Sequence, residues 1–283
     1  MHVFDTKKDL IHFLENERVK GKKIGFVPTM GALHKGHLEL IRNAIRDNDL
    51  CVCSIFVNPT QFNNIEDLEK YPRSTNEDIR MLREDGCQVV FLPGIHELYE
   101  NPAELKTTLH FGVIETILEG KHRPGHFRGV GLVVAKLFNI VKPHRAYFGQ
   151  KDLQQYFLIR QLIHDLSFDI QLIRVPTRRE PDGLAMSSRN QRIPAEIRPA
   201  ANKFYECLLY CKSRLEKGDD PEKLRSFADT FLSPFHVLRL EYIELVETEN
   251  FRIVHRIMDK NHTALCIAGY INNIRLIDNV MFK

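Results

Sequence analysis

The sequence predicts an α/β protein: a doubly wound parallel sheet followed by a smaller C-terminal α+β domain that closes over it. Short apolar runs alternate with amphipathic helical stretches from residue 23 to residue 175, the order that builds parallel strands joined by helical crossovers. Several of those runs are apolar without a break, as strands covered on both faces must be. After Pro176 the pattern changes to helices and then to period-two alternation, which suits a small antiparallel sheet. A boundary near residue 176 follows, giving domains at 1–176 and 177–283.

Element by element, the first strand is expected at residues 23–27, where Ile24, Phe26 and Val27 are apolar. A glycine-containing turn follows. Leu38, Leu40, Ile41, Ala44 and Ile45 then recur at helical spacing to residue 47, so a helix starts near His34. Strands are expected again at 50–57, 88–92, 145–148 and 169–175, with helices at 76–85, 131–141 and 152–165 between them. A charged, proline-bearing loop at 177–182 leads to Gly183-Leu184-Ala185-Met186-Ser187-Ser188-Arg189-Asn190. Helices are expected at 195–217 and 221–232, then alternating strands at 239–246 and 264–276.

Composition narrows the class. An apolar share of 43% and a charged share of 27% over 283 residues are those of a globular protein with a substantial core. The net charge of +3 arises from 40 basic and 37 acidic residues mixed along the chain, so bulk electrostatics give no argument for nucleic acid. No apolar run approaches the length of a membrane span. Charges at Asp5, Lys7, Lys8, Asp9 and Glu15 are incompatible with a signal peptide, and a cytoplasmic location is expected. There the cysteines at 51, 53, 87, 207, 211 and 266 stay reduced. Cys207 and Cys211, four apart on one helix face, have the spacing to pair or bind a metal, but beside Leu208 and Leu209 they read as packing residues.

Chemistry concentrates in Val27-Pro28-Thr29-Met30-Gly31-Ala32-Leu33-His34-Lys35-Gly36-His37. A strand end, a turn and a helix start offer backbone N–H groups and partial positive charge, which suits phosphate. His34 and His37, three apart, project from one face, and Gly36 leaves room for close approach. A metal pair or two surface histidines would show the same spacing. Asn58 and Gln61 end the second strand run with neutral groups that donate and accept, suited to a small polar substrate; an ordinary turn before Pro59 explains Asn58 equally well. Gly125-His126-Phe127-Arg128-Gly129-Val130 precedes an apolar helix, its glycines serving a turn. Phe148-Gly149-Gln150-Lys151-Asp152 repeats the strand–glycine–helix plan, with Lys151 placed to neutralise phosphate oxygens or simply solvated on a capped helix, and Gln155 one turn on. Met186-Ser187-Ser188-Arg189 supplies hydroxyls and a fixed cation, a phosphate clamp or a linker.

Read together and in order, these motifs resemble the pantothenate synthetases. The resemblance rests on the sequences from Pro28 to His37, Ser54 to Phe62, Arg123 to Val130, Phe148 to Gln155 and Asp182 to Asn190, with Tyr71-Pro72-Arg73 and the terminal Arg275-Leu276-Ile277-Asp278-Asn279. It implies a homodimer with a Rossmann-like domain and a C-terminal lid. It also implies a two-step reaction: Mg2+-bound ATP and pantoate give pantoyl adenylate and pyrophosphate, and β-alanine then releases AMP and pantothenate. Carried over by position, ATP falls to Met30, Gly31, Ala32, Leu33, His34, Lys35, Gly36, His37, Gly149, Gln150, Lys151, Asp152, Arg178, Met186, Ser187, Ser188 and Arg189. His34, His37, Lys151 and Arg189 would serve catalysis, with His37 the proton donor. Pantoate falls to Gln61, Gln155 and Asn58, and β-alanine to Gln61. No residue is assigned as a direct metal ligand. Three positions depart from the family pattern: Thr60 for a frequent methionine, Gln150 for a glutamate, and Arg178 for an apolar residue.

Two other functions use similar parts. A nucleotidylyltransferase also needs paired histidines at a helix start and a late Ser-Arg loop, but not the neutral Gln61 and Gln155. A nucleotide sensor on the same fold has little use for so many phosphate donors.

Overall fold

A computed structural model describes residues 1–63, 65–102 and 105–282. The chain divides into two compact units, one of residues 1–149 and 155–176, the other of residues 150–154 and 177–283.

The first unit runs β1 (His2–Phe4), α1 (Lys7–Val19), β2 (Ile24–Thr29), α2 (Lys35–Asp47), β3 (Leu50–Ile55), α3 (Ile65–Glu69), α4 (Thr75–Glu84) and β4 (Val89–Phe91). It continues through α5 (Ile95–Leu98), α6 (Leu118–His122), α7 (His126–Val141), β5 (Arg145–Gly149), α8 (Leu153–Asp165) and β6 (Gln171–Val175). Its sheet has the order β1-β4-β3-β2-β5-β6, every pair parallel. The order reverses between β2 and β5, and in such sheets the crevice beyond the carboxyl ends at the reversal holds the ligand. Pro28, near the end of β2, has no N–H for a sheet bond. β2 pairs with β3 along its whole length, but its pairing with β5 covers only Gly25 and Phe26, ending before a residue that has no N–H to give.

The buried strands explain why the parallel sheet was legible: β3 is buried at all six positions and β4 at all three. Leu38, Leu40, Ile41 and Ala44 seat α2 on the sheet. β1 and α1 were not anticipated, because a three-residue strand carries too little periodicity and α1 buries only Leu10, Leu14 and Glu17. α7 starts at His126 rather than near residue 131. Glycines at 129 and 131 argue against helix by propensity, and packing overrides it.

The second unit holds α9 (Lys203–Glu216), α10 (Leu224–Leu232), β7 (Leu238–Glu247), β8 (Arg252–Ile253), β9 (Thr263–Ile271) and β10 (Ile274–Met281). Its antiparallel sheet has the order β10-β9-β7-β8. The expected strand at 264–276 is two strands, folded back at Asn272 and Asn273, where Asn272 takes φ 48°. Asparagine is among the few residues that accept that conformation. The helices pack Phe204, Cys207, Leu208 and Leu224 against Leu240, Leu265 and Ile267 of the sheet. All six cysteines are free and buried. Burial pushes the Cys53 thiol well up, so it is an uncharged packing group. Among the described residues no helix is long and apolar enough to cross a membrane.

Candidate active site

Between β2 and α2 the backbone N–H groups need partners, since neither element supplies them. Gly31 and Ala32 both take positive φ, 78° and 49°, which turns their N–H groups inward. Gly31 N–H donates to Thr29 Oγ1 at 3.3 Å. Ala32 and Leu33 donate to the two oxygens of Asp78, at 2.9 and 2.8 Å. Asp78 lies on α4, is 1% exposed, and also accepts from Ser74 Oγ at 3.1 Å. A Cβ on Gly31 would sit 2.9 Å from Asp78 Oδ2, so glycine is required there by space as well as by φ.

His34 is the N-cap of α2. Its Nδ1 accepts from Gly36 N–H at 3.1 Å, and His37 Nδ1 accepts from His34 N–H at 3.3 Å. The two rings lie 4.1 Å apart at 36°. An accepting Nδ1 leaves the ring proton on Nε2, so each imidazole is set as an Nε2–H donor. The backbone N–H groups expected to stand unpaired at this helix start are therefore mostly partnered. The N–H groups of Gly31, Ala32, Leu33, His34 and Gly36 are taken by side chains, and those of His34 and Gly36 orient the two imidazoles.

The second cluster centres on Asn58, 1% exposed. Its Nδ2 donates to Gln61 Oε1 and to Gly129 O, both at 3.1 Å. Its Oδ1 accepts from Tyr99 Oη and Thr60 Oγ1, both at 3.0 Å, and from Thr60 N–H at 3.3 Å. Burial pushes the Tyr99 hydroxyl up, keeping it a donor. Asn58 thus fixes which way the Gln61 amide points. Gln61 Nε2 faces Met30 Sδ at 2.9 Å, and Gln61 O meets His126 Nδ1 at 2.8 Å. A carbonyl only accepts, so His126 carries its proton on Nδ1; its Nε2 receives Arg123 Nη1 at 3.0 Å. The geometry therefore joins Met30, Asn58 and Gln61, and adds Tyr99 and His126. Gly129 makes the packing possible: a Cβ there would lie 2.3 Å from Thr60 O and 2.5 Å from Thr60 C.

In the second unit, residues 178–186 form a tight hairpin. Met186 N–H donates to Arg178 O at 3.0 Å, Glu180 N–H to Leu184 O at 2.8 Å, and Arg179 bridges Ala185. It delivers Met186 and Ser188 buried and Ser187 and Arg189 half-buried, with Ser187 Oγ accepting from Arg189 N–H at 3.3 Å. Arg178 is exposed, whereas Arg179 is locked into the fold. Arg179 makes a two-pronged pair with Asp278 at 2.6 and 3.0 Å and stacks 3.6 Å over the Tyr205 ring. Lys151 Nζ lies 3.4 Å from Asp152 Oδ1. Lys35 is exposed and Gln155, on the first turn of α8, is half-buried.

Sequence reasoning missed Asp78, Tyr99, Arg179 and the binding of Asn279 to residues 150–151. Only the terminal motif that contains Asp278 and Asn279 gave a signal for any of them. Their partners lie 41 to 129 positions away in the chain, beyond the reach of local pattern.

Two substitutions test these supports. Asp78→Ala leaves the Ala32 and Leu33 donors buried without the carboxylate, at about 1–3 kcal/mol for each; Asp78→Asn restores one acceptor and should lose less, as read from urea unfolding midpoints. Gly129→Ala gains about 1 kcal/mol of helix propensity but adds a backbone clash of about 1–3 kcal/mol or more. A net loss of stability is expected, and an unchanged midpoint would show that α7 does not pack on Thr60 as described.

Comparison with known proteins agrees over nearly the whole chain. A family model described as pantoate-beta-alanine ligase matches residues 2–281. The pantothenate synthetase of Cytophaga hutchinsonii is 44% identical over 272 residues, covering 96% of this chain and 95% of that one. That of Thermotoga petrophila is 44% identical over 282 residues, covering 99% of each. The crystal structure of the Thermus thermophilus pantothenate synthetase superposes with a TM-score of 0.91 at 38% identity, covering 99% of both chains. The Francisella tularensis pantoate-beta-alanine ligase, solved with beta-gamma ATP and beta-alanine, gives 0.82 at 38% identity, covering 99% of this chain and 97% of that one. With the family model spanning the chain and relatives above 40% identity along its length, this protein belongs to the pantoate-beta-alanine ligase family.

Proposed function

We propose that this chain joins pantoate to β-alanine in an ATP-driven reaction, through a pantoyl adenylate. The observation that carries the reading is the pair of closely spaced, mutually tilted imidazoles at the start of α2, each turned so that Nε2–H is the donor. Family membership sets aside the nucleotidylyltransferase and sensor readings.

In the first step a pantoate carboxylate oxygen attacks the α-phosphorus of ATP, and the bond to pyrophosphate breaks. A carboxylate is already a nucleophile and needs no base. The barrier is charge building on the α-phosphoryl oxygens and on departing pyrophosphate, and fixed donors act on that charge. His34, His37, Lys151 and Arg189 are the proposed donors, His37 through the proton that its acceptor role places on Nε2. The remaining ATP contacts are proposed for residues 30–37, 149–152, Arg178 and 186–189, with Mg2+ arriving on ATP as part of the substrate. In the second step the uncharged amine of β-alanine attacks the acyl carbon, the anhydride C–O bond breaks, AMP leaves with that electron pair, and the new amide nitrogen gives up one proton to solvent. Gln61 and Gln155 are proposed to hold pantoate, and Gln61 also β-alanine. Asn58, whose amide is bonded to Gln61 and Gly129, serves pantoate by aiming Gln61. An adenylate hydrolyses in water, so a C-terminal lid at 177–283 that excludes solvent belongs to this proposal, as do a homodimer and a cytoplasmic location.

Pantoate-dependent exchange of pyrophosphate into ATP, without β-alanine, tests the adenylate. Exchange is expected, with AMP the nucleotide product once β-alanine is added; ADP and phosphate would refute the mechanism. His37→Ala and Lys151→Ala should each slow exchange by about two to three orders of magnitude, and an unchanged rate would remove that residue from the site. Gln61→Ala and Gln155→Ala should weaken pantoate by about 1–3 kcal/mol and leave ATP binding nearly intact, which titration with each substrate separates.

A further inference from the structure

Asp278 and Asn279 stand side by side near the end of the chain on β10, 7% and 2% exposed. Nothing in the reaction calls for a buried carboxylate and a buried amide at that place. Their bonds run to two distant segments. Asp278 holds Arg179 by both oxygens, and Arg179 in turn donates to Gly183 O at 3.1 Å and to Asn279 O at 3.4 Å. That fixes the hairpin whose end carries residues 186–189. Asn279 Nδ2 donates to Gln150 O at 2.9 Å and to Lys151 O at 3.0 Å, while its Oδ1 accepts from Gln150 Nε2 at 3.3 Å. The Asn279 N–H donates to Asp278 Oδ1 at 2.7 Å, joining the two halves.

Both amide hydrogens of Asn279 are thus given to consecutive carbonyls of the turn between β5 and α8. That turn is a single 3-10 turn over Gln150–Asp152, and residues 150–154 group with the C-terminal unit rather than with the sheet that precedes them. We propose that Asn279, backed by the Asp278–Arg179 pair, is a positioning residue for Lys151, setting the turn from which the ammonium reaches the nucleotide. An aspartate could not replace it, because two carbonyl oxygens would then face an oxygen instead of N–H donors. The proposal rests on the reading of Lys151 as a donor to ATP, and the test separates the two.

The test is a double-mutant cycle read by pantoate-dependent pyrophosphate exchange at saturating pantoate, with ATP varied. Asn279→Ala should lower exchange about tenfold or more in the native background and by less than about twofold in Lys151→Ala, since residues acting through one another are not additive. Asn279→Ser, which keeps one donor, should fall between, and the same comparison holds with it if the alanine variant does not fold. Leu208→Ala, in the apolar core of the same unit, supplies a stability loss that does not touch the turn; its Tm should drop while exchange below Tm is retained. Equal losses from Asn279→Ala in both backgrounds would overturn the positioning role, as would a Leu208→Ala variant that loses exchange in proportion to Tm. Unchanged exchange in Lys151→Ala alone would overturn the Lys151 assignment and this proposal with it.

Discussion

Where β2 hands the chain to α2, Gly31 and Ala32 turn left-handed, and the N–H groups of Ala32 and Leu33 point into the protein, away from water. A buried donor left without a partner costs as much as a hydrogen bond contributes and more, so this turn exists only because something inside accepts. The Asp78 carboxylate does so for Ala32 and Leu33 at once. Bonds to an ionised acceptor are among the stronger ones, and this one is delivered by α4, a helix more than forty residues further along. The order of the His34–His37 helix start depends on it. With the turn fixed, the N–H groups of His34 and Gly36 fall to the two imidazoles, which fixes the ring tautomers in their turn.

The same logic recurs at the other clusters. Asn58 makes five hydrogen bonds inside the protein and thereby orients the amide of Gln61. Arg179 is held by a carboxylate, two carbonyls and an aromatic face. In each case a polar group beside a proposed substrate contact is held by partners of which some come from remote segments. The side chains meant to meet substrate are held by neighbours rather than by substrate. Groups set in this way need no rearrangement when charge develops, which is the condition under which fixed donors lower a barrier most.

Thr60, where the resemblance implies a frequent methionine, is bonded into the network around Asn58. Its hydroxyl donates to Asn58 Oδ1 at 3.0 Å, so this polar side chain adds to the network instead of leaving an unsatisfied group. Gln150 behaves in the same manner, pairing its amide with Asn279.

What the sequence determined by itself was the periodic part and the exposed chemistry. Unbroken apolar runs declared parallel strands, helical spacing declared α2, and the motifs at 28–37, 54–62, 148–155 and 182–190 declared the family. Those signals are local: burial on both faces of a strand, or a histidine pair one helical turn apart, is written within ten residues of chain. The tertiary structure alone decided the supports. That Asp78 would take the N–H groups of the turn, that α7 would begin at His126 to lay Gly129 on Thr60, and that Asn279 would hold residues 150–151 are contacts between segments far apart in sequence. A carboxylate or an amide in an α-helix or a strand carries no mark of its partner. Only the folded chain, which removes water and so obliges every buried donor to find an acceptor, makes those pairs necessary.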